Sequence, residues 1–476
     1  MKLRKGSEVG KQCAQGRWPK WTPIILLLGF CFLLYFLSLD RWGLRKPDEI
    51  RYAQVAQEMV ERGGWVSLQL HGRPYVEKPP LFFWLIALSS YLWQGFTSFS
   101  TRFPSALFGT FAVLITFLIG KSLFDSKSGF LSGLILATSF LFARFSTRAN
   151  IDATLTFFTT ASLFCFLRWH QGDRGDEKKK VRGLILYGFY IGMGLATLTK
   201  GPVGFILPLL VSLIYLATQK DWTGIKGMKI LPGMFLFLVI VLSWYLPAVL
   251  KGGRGYLDQT LVHRTIGYYS EGWMHSKPVY FYLSNFPADF FPWIFFLPGA
   301  IVYGYSKEAS WKKKEFLFLL FWFIVILLFF SSSKTKRDLY LLPLYPAASL
   351  MIGRLWGDLS LSRLEHFPRG WISLPLYGFM ALACVVGATI LWLVCKRFPS
   401  HWFFTLFITC CLMGGCLALF LLYRSKRYGA VFLLLVGMAG VMFLYTENFL
   451  FYWDHRFTSA SFVLDEMKKE IGLFFH

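Results

Sequence analysis

The chain has 476 residues, 55% of them hydrophobic and 19% aromatic, with a formal charge of +24. Soluble chains average about 45–50% apolar, and here the apolar residues fall in long uninterrupted runs, which excludes an ordinary soluble domain and makes a lipid bilayer the solvent. The cations sit in short loops between those runs and not on a polar domain, which excludes nucleic acid as a partner and fits the bias that holds Lys and Arg on the cytoplasmic side of a membrane.

In chain order, a basic tail over residues 1–20 (Lys2, Arg4, Lys5, Lys11, Arg17, Lys20) leads into the run Trp21–Leu39. That run meets Asp40-Arg41 without a small-residue cleavage site and is expected to stay as a first span. Further spans are expected near 103–120, 129–146, 152–168, 184–199, 201–217, 230–249, 289–305, 315–331, 339–353, 371–394, 401–423 and 429–446, thirteen in all, each close to the roughly 20 residues that cross a bilayer. Leu81–Trp93 is shorter and follows Pro79-Pro80, so it reads as a short span or as a helix lying in the interface.

Charge decides between these two. If Leu81–Trp93 does not cross, the loops carrying Lys178-Lys179-Lys180, Arg182, Lys312-Lys313-Lys314, Arg424, Lys426 and Arg427 all fall inside; if it crosses, all of them flip outward. The expected fold is therefore an all-α integral membrane protein with interfacial helices in its first outside loop. The N-terminus lies inside, and the outside loops cover 40–102 and 250–288. Residues 21–355 form the main module, 356–446 add C-terminal membrane helices, and 447–476 form a short outside tail. The eight cysteines (Cys13, Cys31, Cys165, Cys384, Cys395, Cys410, Cys411, Cys416) contain no CxxC pair and read as apolar filler, not as a disulfide framework or zinc ribbon.

Ionisable residues gather at the outside ends of the spans, where they mark function first. Pro47 favours a helix start just before Asp48-Glu49, and Tyr52, Val55, Ala56, Met59 and Val60 form an apolar stripe at helical spacing. Asp48 and Arg51 share a face of that helix. The loop continues through His71 and Tyr75 to Glu77-Lys78-Pro79-Pro80. Asp152 opens the fourth span on the same side, and Lys200, Lys334 and Lys336 stand there too. Cations outside run against the inside bias, and a phosphate on a lipid carrier supplies a reason for them. No GxxxxGK, no HExxH and no soluble nucleotide-binding domain appears.

The strings Asp48-Glu49-Ile50-Arg51-Tyr52-Ala53, Gly63-Gly64-Trp65 and Tyr75-Val76-Glu77-Lys78-Pro79-Pro80-Leu81 resemble the first periplasmic loop of bacterial C-type glycosyltransferases. Within that family the resemblance is to the aminoarabinose transferases that modify lipid A and the wider protein-mannosyltransferase-like group. Arg102-Phe103-Pro104, Asp152, Leu198-Thr199-Lys200-Gly201-Pro202, Phe291-Pro292-Trp293 and Lys334-Thr335-Lys336 through Pro346 follow in the same order, so the similarity covers about residues 20–355.

The resemblance implies an undecaprenyl-phosphate-linked sugar donor, inversion at the anomeric centre, and a monomeric enzyme of the inner membrane working on its periplasmic face. It implies that Arg51, Tyr75 and Lys78 hold the carrier phosphate, with hydrogen bonds from Tyr52 and Tyr340. It makes Asp48 the base or acceptor-orienting carboxylate and Asp152 a second carboxylate near the sugar, with Glu49, Lys200, Arg264, Lys334 and Lys336 in support. Relatives also suggest a structural divalent ion such as zinc between Glu77 and His263, although two groups make a thin ligand set and suit a direct hydrogen bond as well. Lipid A leads as acceptor, ahead of a secreted protein's Ser or Thr or another envelope glycan. A transporter or flippase of lipid-linked sugars shares the span count, but it calls for repeated halves and midplane sites, whereas these residues crowd at one face.

Overall fold

The computed structural model describes residues 21–45, 47–172, 179–257, 277–306, 313–364, 366–397 and 402–457, with the single positions 19 and 309. Helix α1 (Thr22–Cys31) runs into a π turn (Phe32–Phe36), and α2 (Asp48–Glu61) lies in the loop that follows. A two-stranded hairpin, β1 (Gln69–Leu70) and β2 (Arg73–Pro74), precedes α3 (Leu81–Leu92). Then come α4 (Ser98–Leu123), α5 (Ser126–Thr138), α6 (Phe140–Ser146), α7 (Ile151–Gln171), α8 (Lys179–Lys200), α9 (Val203–Thr218), α10 (Trp222–Gly227) and α11 (Ile230–Leu257). Helix α12 (Phe281–Asp289) and a 3₁₀ turn (Trp293–Phe296) lead to α13 (Leu297–Tyr305), and α14 (Lys313–Ser332) to a 3₁₀ segment (Asp338–Leu344) and α15 (Tyr345–Ser360). The last three are α16 (Gly370–Arg397), α17 (Trp402–Arg424) and α18 (Tyr428–Phe457).

Every one of the expected apolar runs is helical, but they are not thirteen uniform spans. Among the described residues eight helices are long and apolar enough to cross, or up to ten when each bent pair counts as one span. Helices α5 and α6 meet at 71°, because Ser139 leaves the helical region with ψ 123. Helix α12 and the segment Trp293–Tyr305 meet at 110°. The two breaks touch: the Phe140 backbone N–H donates to the Phe291 carbonyl at 3.1 Å, and the Trp293 indole donates to the Thr138 hydroxyl at 3.0 Å. Each break thus satisfies backbone and side-chain groups that a bilayer would leave bare.

The run expected at 339–353 differs for another reason. Its helix α15 is buried almost along its whole length, so its neighbours are helices and not lipid. It closes on α5 through small residues, with Gly353 against Ser132 and Gly357 against Ser128. The boundary expected at 446 falls inside α18, which continues to Phe457. At 12 residues, α3 is about 18 Å long and too short to cross, as the charge pattern requires.

The first loop folds as its stripe predicts. Tyr52, Val55, Ala56 and Met59 are buried against Phe82, Phe83 and Ile86 of α3, with Tyr52 edge-on to both Phe rings at 5.8 and 5.7 Å. His71 and Gly72, with φ 54 and 73, make the hairpin turn. Glu58 of α2 accepts from both their backbone N–H groups, at 2.6 and 3.1 Å, and fixes the stretch that leads to Lys78.

Candidate active site

The ends of α2, α7 and α8, the stretch after β2 and the stretch after α14 converge at one end of the bundle. The foundation is an ion pair between Glu49 and Arg102, both nearly excluded from solvent at 4% exposure. Arg102 spends all five N–H donors: two on the Glu49 carboxylate at 2.8 and 2.7 Å, and three on the carbonyls of Leu39, Trp42 and Gly43 at 2.8–2.9 Å. Glu49 also accepts the backbone N–H groups of Ala149 at 2.7 Å and Arg45 at 2.8 Å. Burial alone raises the Glu49 carboxyl, but the hydrogen bonds and charge of Arg102 outweigh it and hold the group below its ordinary value. Glu49 thus supports the site by tying four chain segments together, with no oxygen left for a substrate.

One residue earlier, Asp48 accepts from Arg51 at 2.5 Å and from Arg337 at 2.9 Å. Arg51 reaches on to Glu77 at 3.0 Å and packs over the Tyr52 ring. Asp48, Arg51, Glu77 and Arg337 therefore form one chain of alternating charge. Arg337 was not singled out in the sequence; it sits inside the Lys334–Pro346 string, where the lysines drew the reading. Burial works against its charge, but the hydrogen bond and charge of Asp48, with Asp152 and Tyr340 beyond, outweigh that and raise its pKa.

Beside this chain, Lys78 is half-buried and makes no ion pair with any described residue. Burial, with the nearby cations Lys200 and Arg337, lowers its ammonium to about 8. Asp152, 1% exposed, is held by the Lys200 ammonium, which also lies over the Tyr340 ring at 4.2 Å. Asn150 caps the helix that presents Asp152, accepting the Asp152 backbone N–H at 2.7 Å.

Not every expected residue joins in. Tyr52 is buried among aromatic rings and held well above its ordinary pKa by burial and by Asp48; Tyr75 packs edge-on to Phe83 at 5.6 Å and stays close enough to Arg51 to favour that cation. Lys334 is exposed and contributes its carbonyl to the Lys277 N–H at 3.2 Å. Lys336 is buried and donates to the carbonyls of Ser333 and Lys277, so the backbone takes up its charge. His263 and Arg264 lie outside the described residues. Glu77 faces a guanidinium, and among the described residues no three His, Cys, Asp or Glu side chains gather. The described residues do not by themselves provide a divalent-ion site.

A cation in no ion pair with a described residue, set among positioned carboxylates and aromatic rings, suits a phosphate next to a group being transferred. Comparisons with known proteins point the same way. Residues 77–246 match the family described as dolichyl-phosphate-mannose-protein mannosyltransferase. The chain is 33% identical over 334 residues to an undecaprenyl phosphate-alpha-4-amino-4-deoxy-L-arabinose arabinosyl transferase of Pseudomonas aeruginosa, covering 70% of this chain and 58% of that protein. To the transferase of the same name from an Enterobacter species it is 30% identical over 386 residues, covering 79% of this chain and 67% of the other. The fold superposes on ArnT from Cupriavidus metallidurans, solved bound to undecaprenyl phosphate, with a TM-score of 0.72 at 22% identity, over 90% of this chain and 78% of that one.

Proposed function

Because the chain belongs to the family of undecaprenyl phosphate-alpha-4-amino-4-deoxy-L-arabinose arabinosyl transferases, we propose that it moves such a sugar from an undecaprenyl monophosphate carrier to lipid A, on the periplasmic face of a bacterial inner membrane. The observation that carries this reading is the Lys78 ammonium, which makes no ion pair with a described residue, beside the Asp48–Arg51–Glu77–Arg337 chain.

The bond that breaks joins the anomeric carbon to a phosphate oxygen, and the electron pair stays on the phosphate. Lys78 meets that growing charge directly, with Arg337 nearby and Arg51 joined to Arg337 through Asp48. The acceptor oxygen attacks the opposite face of the sugar, which inverts the anomeric centre. Asp48, gripped by two guanidiniums, has a fixed orientation and places the acceptor. A phosphate acceptor arrives already ionised and needs little proton removal, which suits a carboxylate so engaged. Asp152, neutralised by Lys200, presents a polar edge to the sugar while adding no net charge next to the phosphate.

The test is mass spectrometry of lipid A from cells that make the donor and express either the wild type or Asp48→Asn. A gain of one aminosugar with the wild type, absent with the variant, is expected. No gain from well-folded wild-type protein sinks the lipid A reading. A sugar appearing on secreted protein instead would favour the mannosyltransferase-like alternative that the match over 77–246 offers.

A further inference from the structure

Arg337 stands between the end of α14 at Ser332 and the 3₁₀ segment that begins at Asp338, with its own backbone extended at φ −137 and ψ 144. No helical ladder therefore fixes the stretch Ser333–Arg337. Among the described residues its guanidinium bonds Asp48 alone, at 2.9 Å, and its side chain is 38% exposed. The direction in which this cation points is thus set largely by the backbone that carries it.

The stretch Lys277–Asn285, which leads into and forms the first half of α12, supplies the missing bonds. The Lys277 backbone N–H donates to the Lys334 carbonyl at 3.2 Å. The Lys336 ammonium donates back to the Lys277 carbonyl at 3.1 Å, and also to the Ser333 carbonyl. Further along, the Tyr282 hydroxyl donates to the Arg337 carbonyl at 3.2 Å, and the Asn285 amide to the Asp338 carboxylate at 2.9 Å. Positions 282 and 285 share one face of α12, so this face grips Arg337 and the residue after it. Packing does not call for these bonds. Phe286 stacks on Phe290 at 5.3 Å and meets Tyr345 edge-on at 5.7 Å, which already seats α12 on the bundle. The polar contacts go instead to residues 334, 336, 337 and 338, on either side of one guanidinium.

We propose that Tyr282 and Asn285 are positioning residues for the transfer reaction, which hold the backbone of Arg337 so that its guanidinium stays on Asp48 beside the carrier phosphate. This rests on the reading that the site transfers a sugar from such a phosphate. Neither side chain is given a contact with substrate; both act through Arg337. Removing them therefore costs no more than removing Arg337 itself, and costs nothing once Arg337 is gone. A cation that meets charge developing in the transition state is felt in kcat more than in KM, so the loss belongs there.

The test is a double-mutant cycle on the purified full chain in detergent, reading transfer from undecaprenyl phosphate-alpha-4-amino-4-deoxy-L-arabinose to lipid A. Tyr282→Phe combined with Asn285→Leu is expected to lower kcat about ten- to a hundredfold, with KM moved by less than about twofold. In an Arg337→Ala background the same pair should change kcat by less than about twofold. Leu283→Ala, on the exposed face of the same helix, should match the wild type. Equal loss in the two backgrounds overturns the proposal, as does a loss confined to KM or a kcat that does not fall. If the combined variant fails to fold, Tyr282→Phe, which removes one oxygen atom, decides by the same comparison, with a loss of about three- to tenfold expected. A folded wild type that transfers no sugar is a different failure: it sinks the reading of the site, and the positioning role falls with it.

Discussion

Lys78 is the residue whose chemistry is most exposed to test. Its ammonium, lowered to about 8 by burial and neighbouring cations, is charged below that pH and neutral above it. The sign follows: affinity for undecaprenyl phosphate is full below about 8 and falls as pH rises through it, by up to tenfold per unit until the pKa of the phosphate-bound state is reached. Isothermal titration from pH 6.5 to 9.5 checks this, and Lys78→Arg should flatten the fall; an unchanged slope in that variant would assign the pH dependence elsewhere. Arg337→Ala should cut kcat/KM by about 10²–10³ through loss of a phosphate-facing cation, with a wild-type melting temperature, since Arg337 is partly exposed and bonds only the edge of the site. Both Asp48 and Lys78 were legible in the sequence because loop carboxylates and cations outside a membrane stand out. Arg337 and Arg102 were not: an arginine near a span end reads as a headgroup anchor, and what distinguishes these two is a partner 289 or 53 positions away.

At the scale of elements, α2 was readable as a stripe of period 3.6, because it buries one face and leaves the other wet, whereas α3 was set apart by its length and the charge pattern. The breaks in the two bent spans were not, since hydropathy sums over a window and is blind to the direction the chain takes inside it. Nor was the burial of α15, whose apolar content looks the same whether lipid or protein surrounds it. Packing tells them apart. A Cβ at Gly353 would stand 2.8 Å from the Ser132 backbone nitrogen, so Gly353→Val should force α15 off α5 at a cost of about 1–3 kcal/mol. The same change at Gly370, where a Cβ meets nothing within 4 Å, should be nearly silent. Thermal unfolding of the two variants in one detergent compares them, and equal loss would contradict the close α5–α15 approach.

For the whole molecule the testable claim is which way round it sits. The charge pattern puts the α9–α10 turn inside and the α2 end outside. In a background without native cysteines, a cysteine at Arg62 should react with an impermeant maleimide in spheroplasts, and one at Lys220 should react only after lysis; both positions are exposed. The reverse pattern would turn the protein over and move the site to the cytoplasm. The span number was the least legible quantity at this scale, because it depends on which helices see lipid, and that is decided only when all of them are together.

The closed exchange between Glu49 and Arg102 has a consequence for how the protein is made. In the orientation that the charge pattern calls for, the first loop leaves the insertion machinery before α4 and α7 have been synthesised, so Glu49 would reach the far side of the membrane as a lone carboxylate and wait. Arg102 arrives next and takes two of its lone pairs, and only with Ala149 does the last described donor appear. The site is therefore sealed from behind, by chain that emerges about a hundred residues later. A nascent polypeptide arrested before that point has its loop across the membrane but nothing to lock it.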